Sequence, residues 1–392
     1  MSFFPLGPVA ELADIISGFA FKSPWFGHGY DKVIRISDIQ DGVINLDSAV
    51  TFDASANRVS DQYRIRKGDI LMALSGATTG KIGIADECAE GAYLNQRVAI
   101  IRGKDEISSK YLKYVFKGRY LDKLLLAAGG AAQANLSPKV LAALEIPLPP
   151  LAEQKRIAAI LDKADALRRK RQQAIDLADQ FLRSVFLDMF GDPVTNPKGW
   201  KVEPLRQSIV HANNGLSRRR HTETNVGDIV LRLQDVQYEG ICYGKELNRI
   251  ALEEIEKSRF GLHIGDILFI RVNGNPEYVG RSAVFEGYSE AVFHNDHLIR
   301  IKLAKDLEPR FLCFLFNHKS GRKVISSQVK TSAGQHTISQ GGIENLNIYR
   351  PPIQLQNKFV EIQKKVLSVN FDTSDVHELF NSLSQKAFSG EL

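Results

Sequence analysis

Two textures of apolar spacing alternate along the chain, and each occurs twice. The first 150 residues hold short, mostly apolar runs bounded by glycine, such as 33–36, 70–74 and 98–101. Runs of that length with such punctuation predict β-strands. Over residues 110–126 the period changes, with Leu112, Val115, Phe116, Tyr120 and Leu124 on one helical side. Residues 1–150 therefore read as one mixed α+β domain. After Pro149-Pro150, residues 151–190 contain neither glycine nor proline, which predicts a single helix. Its seam, Ile157, Ile160, Ala164, Leu167, Arg171, Ala174, Ala178, Phe181 and Val185, steps by three and four residues, the coiled-coil period. Residues 191–352 return to strand-rich texture. Residues 353–392 return to the helical one, where Phe359, Ile362, Val366, Val369, Thr373, Val376, Phe380, Leu383 and Ala387 take the same steps.

Narrow apolar stripes of this kind need a partner. The first helix leaves domain one and arrives at domain two, whereas the second leaves domain two, so pairing them requires an antiparallel arrangement. Gly191-Asp192-Pro193 and Asn196-Pro197-Lys198-Gly199 stop the first helix and open the second domain. Asp372 and Ser374 can cap a restarted helix, which makes residues 370–375 a weak place in the second.

The repeat of texture is also a repeat of sequence. Val33-Ile34-Arg35-Ile36-Ser37-Asp38-Ile39-Gln40 matches Val230-Leu231-Arg232-Leu233-Gln234-Asp235-Val236-Gln237 at an offset of 197, and Gly68-Asp69-Ile70-Leu71 recurs as Gly265-Asp266-Ile267-Leu268 at the same offset. Gly80-Lys81 then aligns with Gly280-Arg281, Asn95 with Asn295, and Tyr111-Leu112 with Phe311-Leu312, all at 200. Pro149-Pro150-Leu151-Ala152-Glu153-Gln154 answers Pro351-Pro352-Ile353-Gln354-Leu355-Gln356 at 202. A collinear series that drifts this slowly implies a duplicated unit. The expected fold is α+β: two duplicated domains joined by two long antiparallel coiled-coil helices, with pseudo-two-fold symmetry.

Composition narrows the function without deciding it. The formal net charge is +6, which suits a polyanionic partner. Cys88, Cys242 and Cys313 are too far apart for a zinc site and odd in number, which disfavours a disulfide framework and fits a reducing cytoplasm. No run approaches a membrane span, and Met1-Ser2-Phe3-Phe4-Pro5 does not begin a secretory signal. A soluble, unprocessed cytoplasmic chain is expected.

Motifs for chemistry fail on spacing. Gly76-Ala77-Thr78-Thr79-Gly80-Lys81-Ile82 is one residue short of a phosphate-binding loop and has Ile82 where a hydroxyl is needed. Asn196-Pro197-Lys198 lacks the run an amino-methyltransferase uses to hold its target amine, and no nucleophile elbow occurs. His294 and His297 have no Cys or acidic partners at ligand spacing. No catalytic residue, cofactor or metal is expected.

Duplicated domains, each ending in Pro-Pro-Leu/Ile-x-x-Gln before a long helix, resemble the specificity subunits of type I restriction-modification systems. Phe186-Leu187-Asp188-Met189-Phe190-Gly191-Asp192-Pro193 with Asn196-Pro197-Lys198-Gly199-Trp200 is similar to the family's junction. Leu383-Ser384-Gln385-Lys386-Ala387-Phe388-Ser389-Gly390-Glu391-Leu392 is similar to its C-terminus. Gly18-Phe19-Ala20-Phe21-Lys22-Ser23 and Gly68-Asp69-Ile70-Leu71 resemble recurrent target-recognition segments, with Asn214-Gly215-Leu216-Ser217 in place of the first in the second half. The resemblance implies a non-catalytic subunit with target-recognition domains at 1–150 and 191–352 and spacer helices at 151–190 and 353–392. Each domain would read one half of a bipartite double-stranded DNA target. The helices would set the spacing and dock two methyltransferase subunits, and restriction (translocase) subunits would join the assembly. A 40-residue helix, about 60 Å long, exceeds one turn of B-DNA at about 34–36 Å.

Base edges are read chiefly by Arg, Lys, Asn and Gln. In domain one the candidates are Lys22, Ser75, Thr78, Thr79, Lys81, Gln96, Arg97, Gln133 and Asn135. In domain two they are Arg218, Arg219, Arg220, Asn273, Asn275, Arg281, Gln335, His336 and Thr337. The other basic run, Arg168-Arg169-Lys170-Arg171, reads as a solvated helix face or a methyltransferase-docking surface. Two other readings compete: a coiled-coil scaffold whose end domains bind proteins, and a metal-dependent nuclease of unrecognised type.

Overall fold

A computed structural model describes residues 4–40, 42–76, 79–117, 119–127, 136–217, 226–238, 240–244, 246–332, 334–368 and 374–392. The chain divides into two compact units, Met1–Gln173 with Asp372–Leu392, and Ala174–Phe371. In the first, strands Ala13–Ser17, Val98–Gly103, Ile70–Ala73 and Ile82–Ile84 form an antiparallel sheet in that order. Residues Ile70 to Ala73 are all buried because both faces of the sheet are covered. Ile70, Met72, Ala99 and Ile101 pack with Tyr111, Leu112, Ile157 and Leu161. Leu71, Val98 and Ile100 pack on Ile34, Ile39 and Leu94. A second sheet, Val50–Phe52, Asp31–Ile34 and Tyr93–Leu94, ends in a parallel pair.

The second unit repeats this strand by strand. Ile209–Asn214, Leu298–Leu303, Ile267–Ile270 and Ser282–Val284 form its central sheet, and Arg249–Ile250, Asp228–Leu231 and Val292–His294 its side sheet, again with the last pair parallel. A three-stranded ribbon, Val272–Asn273, Gln335–Thr337 and Lys330–Ser332, belongs to this unit alone among the described residues.

The repeated motifs are scaffold. Gly68 and Gly265 have φ of +88° and +91°, a region open to glycine, and turn the chain so that the next residue is buried. Asp69 accepts Arg66 N–H at 2.7 Å and both Nε and Nη2 of Arg102, at 2.7 and 2.6 Å. Asp266 likewise accepts His263 N–H at 2.8 Å and lies 2.7 Å from Arg300 Nε. Gln154 and Gln356 are equally matched. Gln154 accepts from Ser108 N–H at 2.8 Å and donates to the Pro149 carbonyl at 2.9 Å; Gln356 accepts from Glu308 N–H at 2.9 Å and donates to the Pro351 carbonyl at 2.8 Å. Each buried amide thus fixes a helix start to its own domain.

One helix spans Leu151–Phe190. The second helical stretch is described as Ile353–Leu367 and Ser374–Ser389, and the expected weak place falls largely on residues outside the described ones. The expected seam is corrected at three positions: Leu167 and Phe181 are each 52% exposed, and Ala174 is exposed as well. Ile157 is buried, while Ile160 and Val185 are half-buried. The buried stripe instead runs Gln154, Ile157, Ala158, Leu161 and Asp165, then Leu182, Phe186 and Phe190. The reason is that globular cores, not only another helix, set the buried face. Within the second unit Phe186 lies 5.0 Å from Phe314 and 5.3 Å from Phe359. Phe359 is buried, with Ile362 and Val366 half-buried. Within the first, Phe380 lies 6.1 Å from Tyr114 and Phe388 4.3 Å from Tyr120. Leu383 is half-buried there, and the Val376 side chain is outside the described ones. No helix among the described residues is long and apolar enough to cross a membrane.

Candidate nucleic-acid interface

Backbone hydrogen bonds gather separate segments at one end of each central sheet. In the first unit, Leu74 N–H donates to the Arg97 carbonyl at 2.8 Å, and Leu136 N–H donates to the Leu74 carbonyl at 2.7 Å. Gln96 N–H donates to the Phe19 carbonyl at 2.9 Å. The loop that begins at Ser75, the turn at 95–97, the segment entering at Leu136 and the stretch following Phe19 therefore converge. In the second unit the same pattern joins Arg271 to His297 at 2.8 Å, Ile338 to Arg271 at 2.9 Å, and Asp296 to Leu216 at 2.9 Å. Gly18 and Gly215 make the approach possible, since an added Cβ would lie 2.0 Å from the Asn95 carbonyl oxygen and 2.2 Å from that of Asn295. Gly215 thus stands where Gly18 stands, one residue along from the sequence reading that set Asn214 there.

Most described candidates in the first unit lie on this end and face water. Gln96, Arg97 and Lys81 are exposed, Ser75 and Thr79 half-buried. Lys22 is exposed, with Nζ 5.6 Å from the centre of the Trp25 ring. Thr78, Gln133 and Asn135 lie outside the described residues. In the second unit Asn273 pairs with His336 in the ribbon. Asn273 accepts Asn275 N–H at 2.9 Å, and Asn275 accepts Glu277 N–H at 3.0 Å. Gln335 is exposed, whereas His336 and Thr337 are half-buried. Arg218, Arg219 and Arg220 lie outside the described residues.

Arg281 departs from expectation. It is only 7% exposed, its guanidinium 4.0 and 4.3 Å from the ring centres of Tyr238 and Tyr278, with Nη1 donating to Gln237 Oε1 at 2.8 Å. Held this way it supports the loop before it rather than reaching outward. Three residues missed by the sequence reading take the converging positions: Arg271, Asp296 and His297, all half-buried. The offset of 200 already pairs Gln96-Arg97 with Asp296-His297, so the signal was present for two of them.

His294 is fully buried, its Nδ1 3.0 Å from the Phe260 carbonyl, and burial pushes its pKa down to about 4. It is a neutral imidazole donating to a backbone carbonyl. Among the described residues no group of three His, Cys, Asp or Glu side chains lies together as a metal site would require.

Residues 3–177 and 197–375 match the family described as Type I restriction modification DNA specificity domain. The chain belongs to that family. Specificity subunits of this family that resemble it over nearly their whole length include the type I restriction enzyme StySPI subunit of Salmonella potsdam, 29% identical over 98% of this chain and 88% of that one. The EcoBI subunit of Escherichia coli is 30% identical over 97% of this chain and 85% of the relative. In fold, the chain is similar to the crystal structure of a type-I restriction-modification system S subunit from M. genitalium, with a TM-score of 0.59 at 15% identity, over 99% of this chain and 96% of that one. Membership of the specificity family makes the two convergent sheet ends the places to look for DNA readout.

Proposed function

We propose that this chain binds double-stranded DNA at a bipartite target, with domain 1–150 reading one half and domain 191–352 the other. The observation that carries this is a shared scaffold with different side chains at its reading end. Leu74, Gln96 and Arg97 in one unit correspond to Arg271, Asp296 and His297 in the other. An Arg suits guanine and an Asp suits cytosine N4–H, so heads that differ in this way select different half-sites. The helices at 151–190 and 353–392 would space the halves in an antiparallel, pseudo-two-fold arrangement and dock two methyltransferase subunits. Exposed Leu167, Leu177 and Phe181 on the long helix fall within about a quarter turn of one another and support an apolar helical partner. Restriction (translocase) subunits would complete the assembly, and the chain itself would perform no chemistry and act in the cytoplasm.

The test is methylation sequencing of DNA from cells carrying this chain with its cognate methyltransferase, against either alone. A split motif with a fixed spacer, modified only when both are present, is expected. Exchanging residues 1–150 for those of a relative should replace one half of the motif and leave the other. Methylation unchanged by removing this chain would favour a protein-binding scaffold, and magnesium-dependent cleavage by the chain alone would favour a nuclease.

A further inference from the structure

The loop that follows strand Ile267–Ile270 is three residues longer than its counterpart after strand Ile70–Ala73. Gly80 N–H returns to the Ala73 carbonyl at 2.9 Å, whereas Gly280 N–H returns to the Ile270 carbonyl at 2.7 Å, and the offset grows from 197 to 200 between these pairs. The longer loop is held from beneath by Arg322, on helix Lys319–Ser326. Arg322 is 9% exposed, and its Nη2 donates to the carbonyls of both Pro276 and Val279. Among the described residues no carboxylate forms an ion pair with it, Glu277 acting on it only through longer-range attraction, and its Nε and Nη1 make no hydrogen bond. Burying a cation without a contacting carboxylate is unfavourable, so the carbonyls that hold it are fixed in turn. A second layer completes the support: Arg281 lies between Tyr238 and Tyr278, and the Tyr238 hydroxyl donates to the Glu277 carbonyl at 3.3 Å. Residues 276–279 are thereby fixed, and the exposed Gly274 and Asn275 link them to the ribbon strand that holds half-buried Asn273. The first unit has exposed Lys81 where the second has buried Arg281.

We propose that Arg322, with Arg281 and Tyr238, is the positioning brace of this loop and sets base preference in the half-site read by the second unit. The inference rests on the bipartite reading above. Its experiment uses the full chain with its cognate methyltransferase and reads the motif position by position. The wild-type arm and the exchange of residues 1–150 test the bipartite reading and mark the first half-site. Arg322→Ala then tests the brace. Discrimination at one or two base pairs of the other half should fall by roughly tenfold, the scale of one lost base-pair preference. The first half and the spacer should be unchanged. Arg322→Lys keeps an ammonium able to donate to both carbonyls and should restore the second half at least in part. A merely structural role would lower methylation at every site without altering sequence preference, and that result overturns the proposal. So does an undiminished wild-type motif, or relaxation in the first half. If Arg322→Ala does not accumulate as folded protein, the half-exposed Tyr238 replaced by Leu decides by the same criteria.

Discussion

A single carboxylate in each unit fixes the turn that leads into the central strand. Asp69 is 2% exposed and bidentate to Arg102, so Asp69→Ala leaves a half-desolvated guanidinium and an unpaired Arg66 N–H. Breaking a buried pair from one side costs about 3–5 kcal/mol, and the lower end is expected here because Arg102 keeps some contact with water. Denaturant unfolding of the variant would measure it. His294 supplies a pH signature in the other unit. Its folded pKa, about 4, lies below the unfolded value of about 6.5. The unfolded chain therefore takes up the proton first. Stability is complete above pH 6.5, falls as pH drops through the interval between those values, and levels off below it. The loss is on the order of 3 kcal/mol, and His294→Gln should flatten that part of the stability–pH curve. These residues explain what the repeated motifs mean. Gly-Asp-Ile-Leu and Pro-Pro-x-x-x-Gln were legible because scaffolding leaves the same residues at the same offset. Arg281 was misjudged because sequence offers no sign that two tyrosines enclose it.

Among the elements, the strands and helices followed the apolar texture closely, but the buried face of the long helix did not follow a single period. A three-four seam is the right expectation for one helix lying on another. Here the ends of the helix enter aromatic cores, so Leu182, Phe186 and Phe190 replace Phe181 and Val185 as the buried set. The consequence is measurable. Phe181→Ser should change the stability of the free chain by less than about 1 kcal/mol, as for an exposed site. It should weaken co-purification with the methyltransferase if that face is the docking surface. The proposed reading ends obey a stricter constraint. Gly18→Ala places a carbon against the Asn95 carbonyl, and Gly215→Ala does so against Asn295. Each should blunt methylation through its own half of the motif only, by an amount read from position-resolved sequencing.

For the whole molecule, the duplication was visible in full from collinear offsets, since two copies of one fold must keep the same turns and ion pairs. The proposed reading surfaces were only partly visible, because a residue's access to a groove depends on which segments the sheet end gathers. Arg271 stands where Leu74 stands in the other copy, and no run or motif announces it. Binding through phosphate contacts should weaken steeply with salt. A protein that neutralises several phosphates is expected to lose at least about a hundredfold in affinity between roughly 50 and 200 mM salt, and titration of labelled target DNA would measure this. One feature of the chain's path governs when such a molecule becomes competent. Phe380, Ala387 and Phe388, which follow the whole second unit in the chain, are buried in the core that also contains Tyr111 and Tyr114. Domains form in order of emergence during synthesis, yet this core lacks three of its members until the second unit, Ala174–Phe371, has been made. The unit begun first is thus completed only after the second has been synthesised, and a chain stopped at residue 371 lacks part of its first core.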